Sequence, residues 1–363
     1  MEVLHSFCIG GQVLRVKEYG EGHINASYRV EMSDGGVYLL QRINTRIFPR
    51  PDLLMENISK VTDYLREQIL LRGGDPERET LRAIPARSGA LYEQDEEGRV
   101  WRLYRFIPHT VTYQSFQDPK IFQNAGEAFG RFLSDLSQYP AEDLHEVIPD
   151  FHHTAKRYER LREAARRNIC GRREGVEQEL AFAEEHKALY GRIVDALAEG
   201  RLPLRVTHND TKVNNVLMDE ETGRGVCVVD LDTVMPGSCL YDFGDAIRFG
   251  AATAPEDTED PERMGLDLGL FEAFSVGYLQ GAQGKLVEAE RRMLPLGALL
   301  MTLESGIRFL TDYLEGDTYF KIHRPEHNLQ RCRAQFALAA DMERKMEKMQ
   351  AIVNRLSGGN IYE

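Results

Sequence analysis

The chain has 363 residues, 45 basic and 58 acidic, giving a formal net charge of −13 at pH 7, with 42% apolar and 28% charged residues. This composition excludes disorder and fibrous repeats, and the acidic surplus repels phosphate backbones, so nucleic acid is not expected as a partner. The length predicts two domains, or two lobes sharing one cleft, with a core large enough to do without disulfides or structural metals.

Apolar stretches such as Leu294–Leu303 are broken by Pro and Gly and fall short of the roughly 20 residues that span a bilayer. Met1–Gly11 lacks the basic start and apolar run of a secretory signal. The five cysteines (Cys8, Cys170, Cys227, Cys239, Cys332) are scattered and form no CxxC pair, so they are expected as buried, reduced thiols. The expectation is a cytoplasmic protein with no membrane association.

In chain order, Gln12–Glu18, Ser27–Met32 and Val37–Ile43 alternate as strands, with Ser33-Asp34-Gly35-Gly36 as a hairpin turn. Leu54, Ile58, Val61, Leu65 and Ile69 then recur at helical spacing between Pro51 and Gly73-Gly74. Thr80–Pro85, Leu91–Glu93 and Val100–Phe106 read as further strands. From about Asp118 the pattern turns helical, over 119–136, 154–167, 174–199, 265–280, 286–314 and 325–356. One strand pair, Asn215–Met218 and Val226–Leu231, interrupts the helices. The reading is an α+β chain with a small sheet-bearing lobe over 1–106 and a larger helical lobe over 107–363. A tight hinge is expected near Phe106–His109, with the chemistry in the cleft between the lobes.

The most informative stretch is Val206-Thr207-His208-Asn209-Asp210-Thr211-Lys212-Val213-Asn214-Asn215, followed by an apolar strand ending in Asp230-Leu231-Asp232. Phosphoryl transfer needs a carboxylate facing the acceptor hydroxyl, an amide and a carboxylate for Mg²⁺, and a cation near the γ-phosphate. Asp210, Asn215, Asp230 and Lys212 match those parts. Asp230 and Asp232, two apart on a predicted strand, are expected on one face. Two close carboxylates repel unless a proton or cation lies between them, which argues for Mg²⁺ and makes both residues metal candidates. His208 is grouped with Asp210 and Lys212 as a catalytic candidate, expected to fix the loop by hydrogen bonds rather than take the proton.

These segments resemble the kinase-like phosphotransferase family that includes aminoglycoside and choline kinases. The runs Asp230–Gly237, Tyr241–Arg248, Gly22–Asn25, Leu40–Asn44 and Gly306–Leu314 are most similar to its N-acetylhexosamine 1-kinase branch. The resemblance implies a two-lobed, protein-kinase-like fold using ATP and Mg²⁺. Asp242-Phe243-Gly244 spells a kinase metal motif, but it lies 32 residues beyond Asp210, whereas Asp230 lies 20 beyond and closes the hairpin. Asp242 is therefore expected to brace the catalytic loop.

Over the nucleotide, Gly20 and Gly22 are expected to offer backbone N–H groups to phosphates, with Asn25 beside them. The third strand, Tyr38-Leu39-Leu40-Gln41-Arg42, has no Lys. Arg42 is the expected substitute, Glu56 its helix partner, and Gln41 points to the opposite face. The hinge Tyr104-Arg105-Phe106-Ile107 is expected to hold the adenine, and Trp101 to be core.

For the acceptor, Arg308 and Asp312 are four apart on a predicted helix, which reads plainly as an ion pair. The resemblance instead turns this segment toward a sugar, with Tyr319 able to stack on its ring. His323 and His327 are separated by Pro325 and lack a third ligand, so they are not expected to bind metal. The expected reaction moves the γ-phosphoryl of ATP to the anomeric hydroxyl of N-acetylglucosamine or N-acetylgalactosamine. The alternatives are the same fold acting on another sugar, choline, homoserine or an aminoglycoside, or a non-catalytic nucleotide-binding protein.

Overall fold

The computed structural model describes residues 2–20, 25–113 and 118–358. Strands β1 (Val13–Glu18), β2 (Ala26–Met32) and β3 (Val37–Arg42) form an antiparallel meander. At its second turn Gly35 adopts φ 86°, and the Asp34 carboxylate accepts from the Gly36 N–H at 3.0 Å, so the turn residues fix the register. Helix α1 (Pro51–Leu71) follows, then the single turn α2 (Pro76–Glu79), β4 (Glu93–Gln94) and β5 (Val100–Arg105). The sheet order is β1-β2-β3-β5-β4. Thr80–Pro85, expected as a strand, forms no named strand and is tied to β5 by the Ala83–Tyr104 bridge, an Ile84 N–H bond to the Leu103 carbonyl and an Arg105 N–H bond to the Arg82 carbonyl.

Strand alternation gives the sheet two different faces. Val30, Met32, Leu40, Trp101 and Leu103 pack on one, under Val3, Leu4 and Phe7 of the N-terminal turn. Trp101 is core, as expected. The other face carries Leu39, Gln41, Arg102 and Tyr104, and it looks into the molecule. Helix α1 buries Leu54, Ile58, Val61, Leu65 and Ile69, the stripe its spacing predicts. It packs into the same core as the helical lobe. At about 1.5–3 kcal/mol for each fully buried large apolar side chain, this stripe fixes α1 firmly.

The chain crosses between lobes at 106–109 and enters β6 (Thr110–Val111), α3 (Pro119–Asp135) and α4 (Thr154–Arg167). The single helix expected over 174–199 is instead α5 (Glu177–Glu185) and α6 (Arg192–Ala198). Between them the His186 ring bonds back to the Phe182 carbonyl at 2.7 Å. Then come β7 (Arg205–Thr207), the hairpin β8 (Val216–Asp219) and β9 (Gly225–Val228), and β10 (Met235–Gly237), which pairs with β7. Helix α7 (Cys239–Gly250) has no counterpart in the sequence reading. It is buried on nearly every side, so it shows no two-faced pattern. Helices α8 (Leu268–Gly281), α9 (Glu288–Leu314) and α10 (His327–Gly358) complete the lobe. Helix α9 is long and apolar enough to cross a bilayer, yet 78% of its apolar window is buried among its neighbours.

Helices α3 and α8 meet backbone to backbone. A Cβ on Gly277 would lie 1.9 Å from the Gln123 carbonyl oxygen, and one on Gly281 2.2 Å from that of Glu127. A Cβ on Gly130 would likewise lie 2.2 Å from the Tyr278 oxygen. Cys227, Cys239 and Cys332 are buried, but Cys8 and Cys170 are exposed, which corrects the expectation for those two.

Candidate active site

The loop after β7 is held from beneath by α7. Asp242, in the first turn of that helix, accepts the His208 N–H at 2.9 Å and the Asn209 N–H at 2.7 Å. The Thr211 hydroxyl donates to the Asp242 carbonyl. The Asp242-Phe243-Gly244 segment is thus a brace, as expected. Asn209 sits at φ 65° and donates its amide to the Thr233 carbonyl at 2.8 Å. Its own carbonyl faces His152 Nε2 at 3.1 Å, while His152 Nδ1 faces Glu304 at 2.8 Å. His152 was not singled out from sequence. Its partners lie 57 and 152 residues away.

His208 donates from Nε2 to the Val229 carbonyl at 2.8 Å and accepts the Asp210 N–H at Nδ1. Both ring nitrogens are engaged and Phe129 and Phe132 pack against the ring, so His208 positions the loop and takes no substrate proton. Asp210 is the group with reactive freedom. Lys212 Nζ stands 3.0 Å from its carboxylate, and Asn215 donates to its main-chain carbonyl at 2.8 Å. Burial raises the Asp210 carboxyl, but the Lys212 ammonium outweighs this and holds it below the ordinary range. Asp210 in turn pushes the Lys212 ammonium upward. The loop therefore presents an ionised carboxylate with a charged lysine beside it.

The two candidate metal carboxylates have opposite fates. β9 ends at Val228, Asp230 adopts φ 58°, and a single 3₁₀ turn covers Leu231–Thr233, so the two are not on one strand face. Asp230 is exposed at the cleft, with no side-chain hydrogen bond or ion pair among the described residues. Desolvation, then the Asp232 and Asp210 carboxylates, raise it to about 7. The Asn215 main-chain carbonyl accepts the Val229 N–H at 2.9 Å, next to Asp230. The Asn215 amide nitrogen is taken by Asp210, leaving its Oδ1 for another partner. An unpartnered carboxylate under like-charge repulsion, beside an amide oxygen, suits a hard divalent cation.

Asp232 is different, and its assignment as a metal ligand is corrected. One carboxylate oxygen accepts from Arg102 and the other from Asn25 Nδ2 at 2.6 Å, with Asp232 only 4% exposed. Asn25 is thereby corrected too. Its amide is engaged at both ends, Oδ1 taking the Asn44 N–H at 3.0 Å, so it joins protein to protein rather than protein to nucleotide. Arg102 was missed. Its signal was a lone charge in the middle of an apolar strand, on the face opposite Trp101.

The nucleotide side departs furthest from expectation. Arg42 lies on the outer sheet face beside Tyr28, Trp101 and Gln94, away from the cleft, whereas Gln41 faces the cleft and bonds Arg102 at 3.0 Å. Glu56 points out from α1 and pairs with Lys60 at 2.7 Å and His145 at 2.9 Å, not with Arg42. The Phe106 N–H is given to the Val37 carbonyl at 3.0 Å and Tyr104 is paired with Leu39 within the sheet. The Phe106 N–H and the Tyr104 pairing are therefore taken up within the sheet. The Tyr104 ring lies under Arg102 at 5.2 Å, and the Phe106 ring meets Tyr19 and Arg29. Gly20 has φ 78° with open space where a Cβ would stand, as a phosphate-facing turn requires; Gly22 lies outside the described residues.

On the acceptor side, Asp312 makes no pair with Arg308, and its assignment to substrate is corrected. Its carboxylate is 3% exposed and accepts the N–H groups of Thr318, Tyr319 and Phe320 together with the Asn328 amide. It folds the 316–320 loop back over α9. That loop sets Phe320 against Arg308, whose guanidinium lies 5.6 Å from this ring and 5.4 Å from the Phe151 ring. Arg308 makes no ion pair among the described residues, although its charge helps to hold the buried Glu304 carboxyl, one turn earlier on α9, below its ordinary range. Nor does neighbouring Arg157, whose guanidinium donates only to the Phe151 carbonyl and is pulled down by burial and by Arg308, against an opposing pull from Glu304. Tyr319 is 57% exposed beside them. His327 accepts the His323 N–H at Nδ1 and faces Asp257 at Nε2, so it is structural.

A family model described as the phosphotransferase enzyme family matches residues 15–292. Among solved structures, a microcompartment-associated aminopropanol kinase superposes with a TM-score of 0.63 at 18% identity, covering 96% of this chain and 97% of that one. Choline kinase from Cryptosporidium parvum Iowa II gives 0.57 at 14% identity, covering 96% and 93%. A spectinomycin phosphotransferase in complex with ADP and spectinomycin gives 0.56 at 13%, covering 91% and 92%. At these identities the solved structures speak to the fold, which is two-lobed and kinase-like, while the family match spans most of the sequence and includes the whole 208–232 constellation. This chain belongs to the phosphotransferase enzyme family.

Proposed function

We propose that the protein transfers the γ-phosphoryl group of ATP to the anomeric hydroxyl of N-acetylglucosamine or N-acetylgalactosamine. Asp210 receives the hydroxyl and its proton as the oxygen–phosphorus bond forms and the bond to ADP breaks. Lys212 keeps Asp210 ionised and faces the migrating charge. Mg²⁺, for which Asn215 and Asp230 are the fitting ligands, supplies charge neutralisation across the phosphates. A positioned general base contributes roughly 10²–10⁴-fold, or about 3–5 kcal/mol of barrier.

The observation that carries the acceptor assignment is Arg308. A guanidinium held between two aromatic rings, beside a second arginine, with the nearby Glu304 already engaged by His152 and Thr154, repels a cationic acceptor. It suits a neutral ring whose hydroxyl and acetamido oxygens accept hydrogen bonds, with Tyr319 available to stack. Arg308 is linked to the catalytic loop through Phe151 and His152, which reaches the Asn209 carbonyl. Amine-bearing alcohols such as the aminopropanol and choline of the structural neighbours fit it poorly. The free Asp210–Lys212 pair disfavours a non-catalytic nucleotide-binding role. ADP release with MgATP and N-acetylglucosamine, run beside the 1-O-methyl glycoside, tests the reading. Turnover with the free sugar alone is expected. Equal rates with both would move the phosphate to another hydroxyl, and turnover with choline but neither sugar would sink the acceptor assignment.

A further inference from the structure

The sheet of the smaller lobe faces the cleft with one fully buried cation. It stands on β5, not on β3, where the basic residue was sought. Arg102 is directly opposite Gln41 in the β3–β5 register, so the two share the cleft-facing side. Only 1% of the Arg102 side chain is exposed, and its charge is answered across the cleft by Asp232, 130 residues away. The other oxygen of Asp232 takes the Asn25 amide, 207 residues away and just past the Gly20 turn.

Asp232 belongs to the same short turn that the catalytic loop uses. Its neighbour Thr233 donates its hydroxyl to the His208 carbonyl at 2.7 Å and accepts the Asn209 amide at 2.8 Å. Asp230 opens this turn in a left-handed conformation, and no side-chain bond of its own fixes it. The turn is thus clamped from two directions, by the sheet through Asp232 and by the catalytic loop through Thr233. A buried guanidinium left unpaired is strongly disfavoured, so the clamp holds as a unit.

We propose that Arg102, Asp232 and Asn25 form a latch between the lobes that sets the position of the cation-binding Asp230. Asp232 is a positioning residue on this account. It orders the cation site and ligates nothing itself. The proposal rests on the phosphotransferase reading, because it gives Asp230 its cation.

The test is direct binding, read without turnover. Free Mn²⁺ is followed by electron paramagnetic resonance while the full chain is titrated with Mn²⁺ and AMP-PNP. Wild type, Arg102→Met, Asp232→Asn and the double variant are compared, with Tm measured on each. Each single variant is expected to weaken Mn²⁺·AMP-PNP at least tenfold at unchanged metal stoichiometry. The double variant, having lost both charges, is expected to regain Tm but not metal affinity. Arg102→Lys, which keeps the charge but loses the fork joining Asp232 to Gln41, is expected to fold and to fall between. Acceptor KM should stay within twofold throughout. A double variant that binds Mn²⁺·AMP-PNP like wild type would overturn the latch. So would loss of one bound Mn²⁺ in Asp232→Asn with none of the affinity change in Arg102→Met. Wild type that fails to bind Mn²⁺ with the nucleotide would remove the phosphotransferase reading and the latch together.

Discussion

On the sheet side of the cleft the buried charges answer one another: Arg102 meets Asp232, Asn25 bridges Asp232 to Asn44, and Gln41 steadies Arg102. On the helical side the groups that face the opening are left unanswered, with Asp230 unpartnered, Arg308 held only by aromatic rings, and Tyr319 exposed. The contrast separates two tasks. Polar groups that complete each other inside the protein fix geometry, and those that lack an internal partner are the ones a ligand can complete. Asp312 sharpens the point, since a carboxylate one turn from Arg308 has four internal donors and so belongs with the first kind.

The contrast is most exposed at Asp210. Asp210→Asn should fold with unchanged Tm and lose about 10²–10⁴-fold in kcat; near-wild-type turnover would remove it from the reaction. Next, Arg308→Met keeps the apolar stem between Phe151 and Phe320 but removes the guanidinium. Acceptor KM should rise roughly 10-fold or more, equivalent to about 1.4 kcal/mol or above, with ATP KM and Tm unchanged. A fall in Tm with no change in KM would return Arg308 to a structural role.

The third effect is a pH dependence. Asp230 is raised to about 7, so below that pH it is mainly protonated and a cation must displace the proton. Affinity for Mg²⁺·nucleotide should therefore fall as pH drops from about 7, by up to roughly tenfold per unit, and level off above. Calorimetry near neutral pH in two buffers of different ionisation enthalpy should report a proton released on binding. Equal heats after correction for the other steps would show that Asp230 does not take the cation. The smallest effect belongs to the outer faces. Arg42→Ala and Glu56→Gln should leave ATP KM within twofold, because one side chain lies across the sheet and the other bonds Lys60 and His145. A tenfold rise for either would break the division between the faces.

What the sequence made legible is what local spacing controls. Asp210 and Asn215, five apart, lie on one loop, and the α1 stripe follows from helix geometry alone. Glu56 could have been placed from that stripe, since it falls opposite Leu54 and Ile58. Arg42 could not. Alternation separates it from Gln41, but which face meets the cleft is settled only when α1 and the helical lobe pack on one side of the sheet. Asp232 misled for a related reason. A run that reads as a continuing strand becomes a left-handed residue and a turn once Asn25 and Arg102 arrive from distant parts of the chain. Helix α7 was hidden because burial on all sides erases the two-faced pattern by which helices are found.

The contact between α3 and α8 bears on how the cleft can open. Where two main chains touch with no side chain between them, there is no rotamer to shift and no room for water, so the contact does not yield locally. Gly225 of β9 seats the β8–β9 hairpin on α3, since a Cβ there would stand 2.6 Å from Ala128. The hairpin and the two helices thus behave as one incompressible block. The smaller lobe is joined to this block by the 106–109 crossing and by α1, whose apolar stripe lies in the same core, so the block is the fixed frame against which the sheet is held.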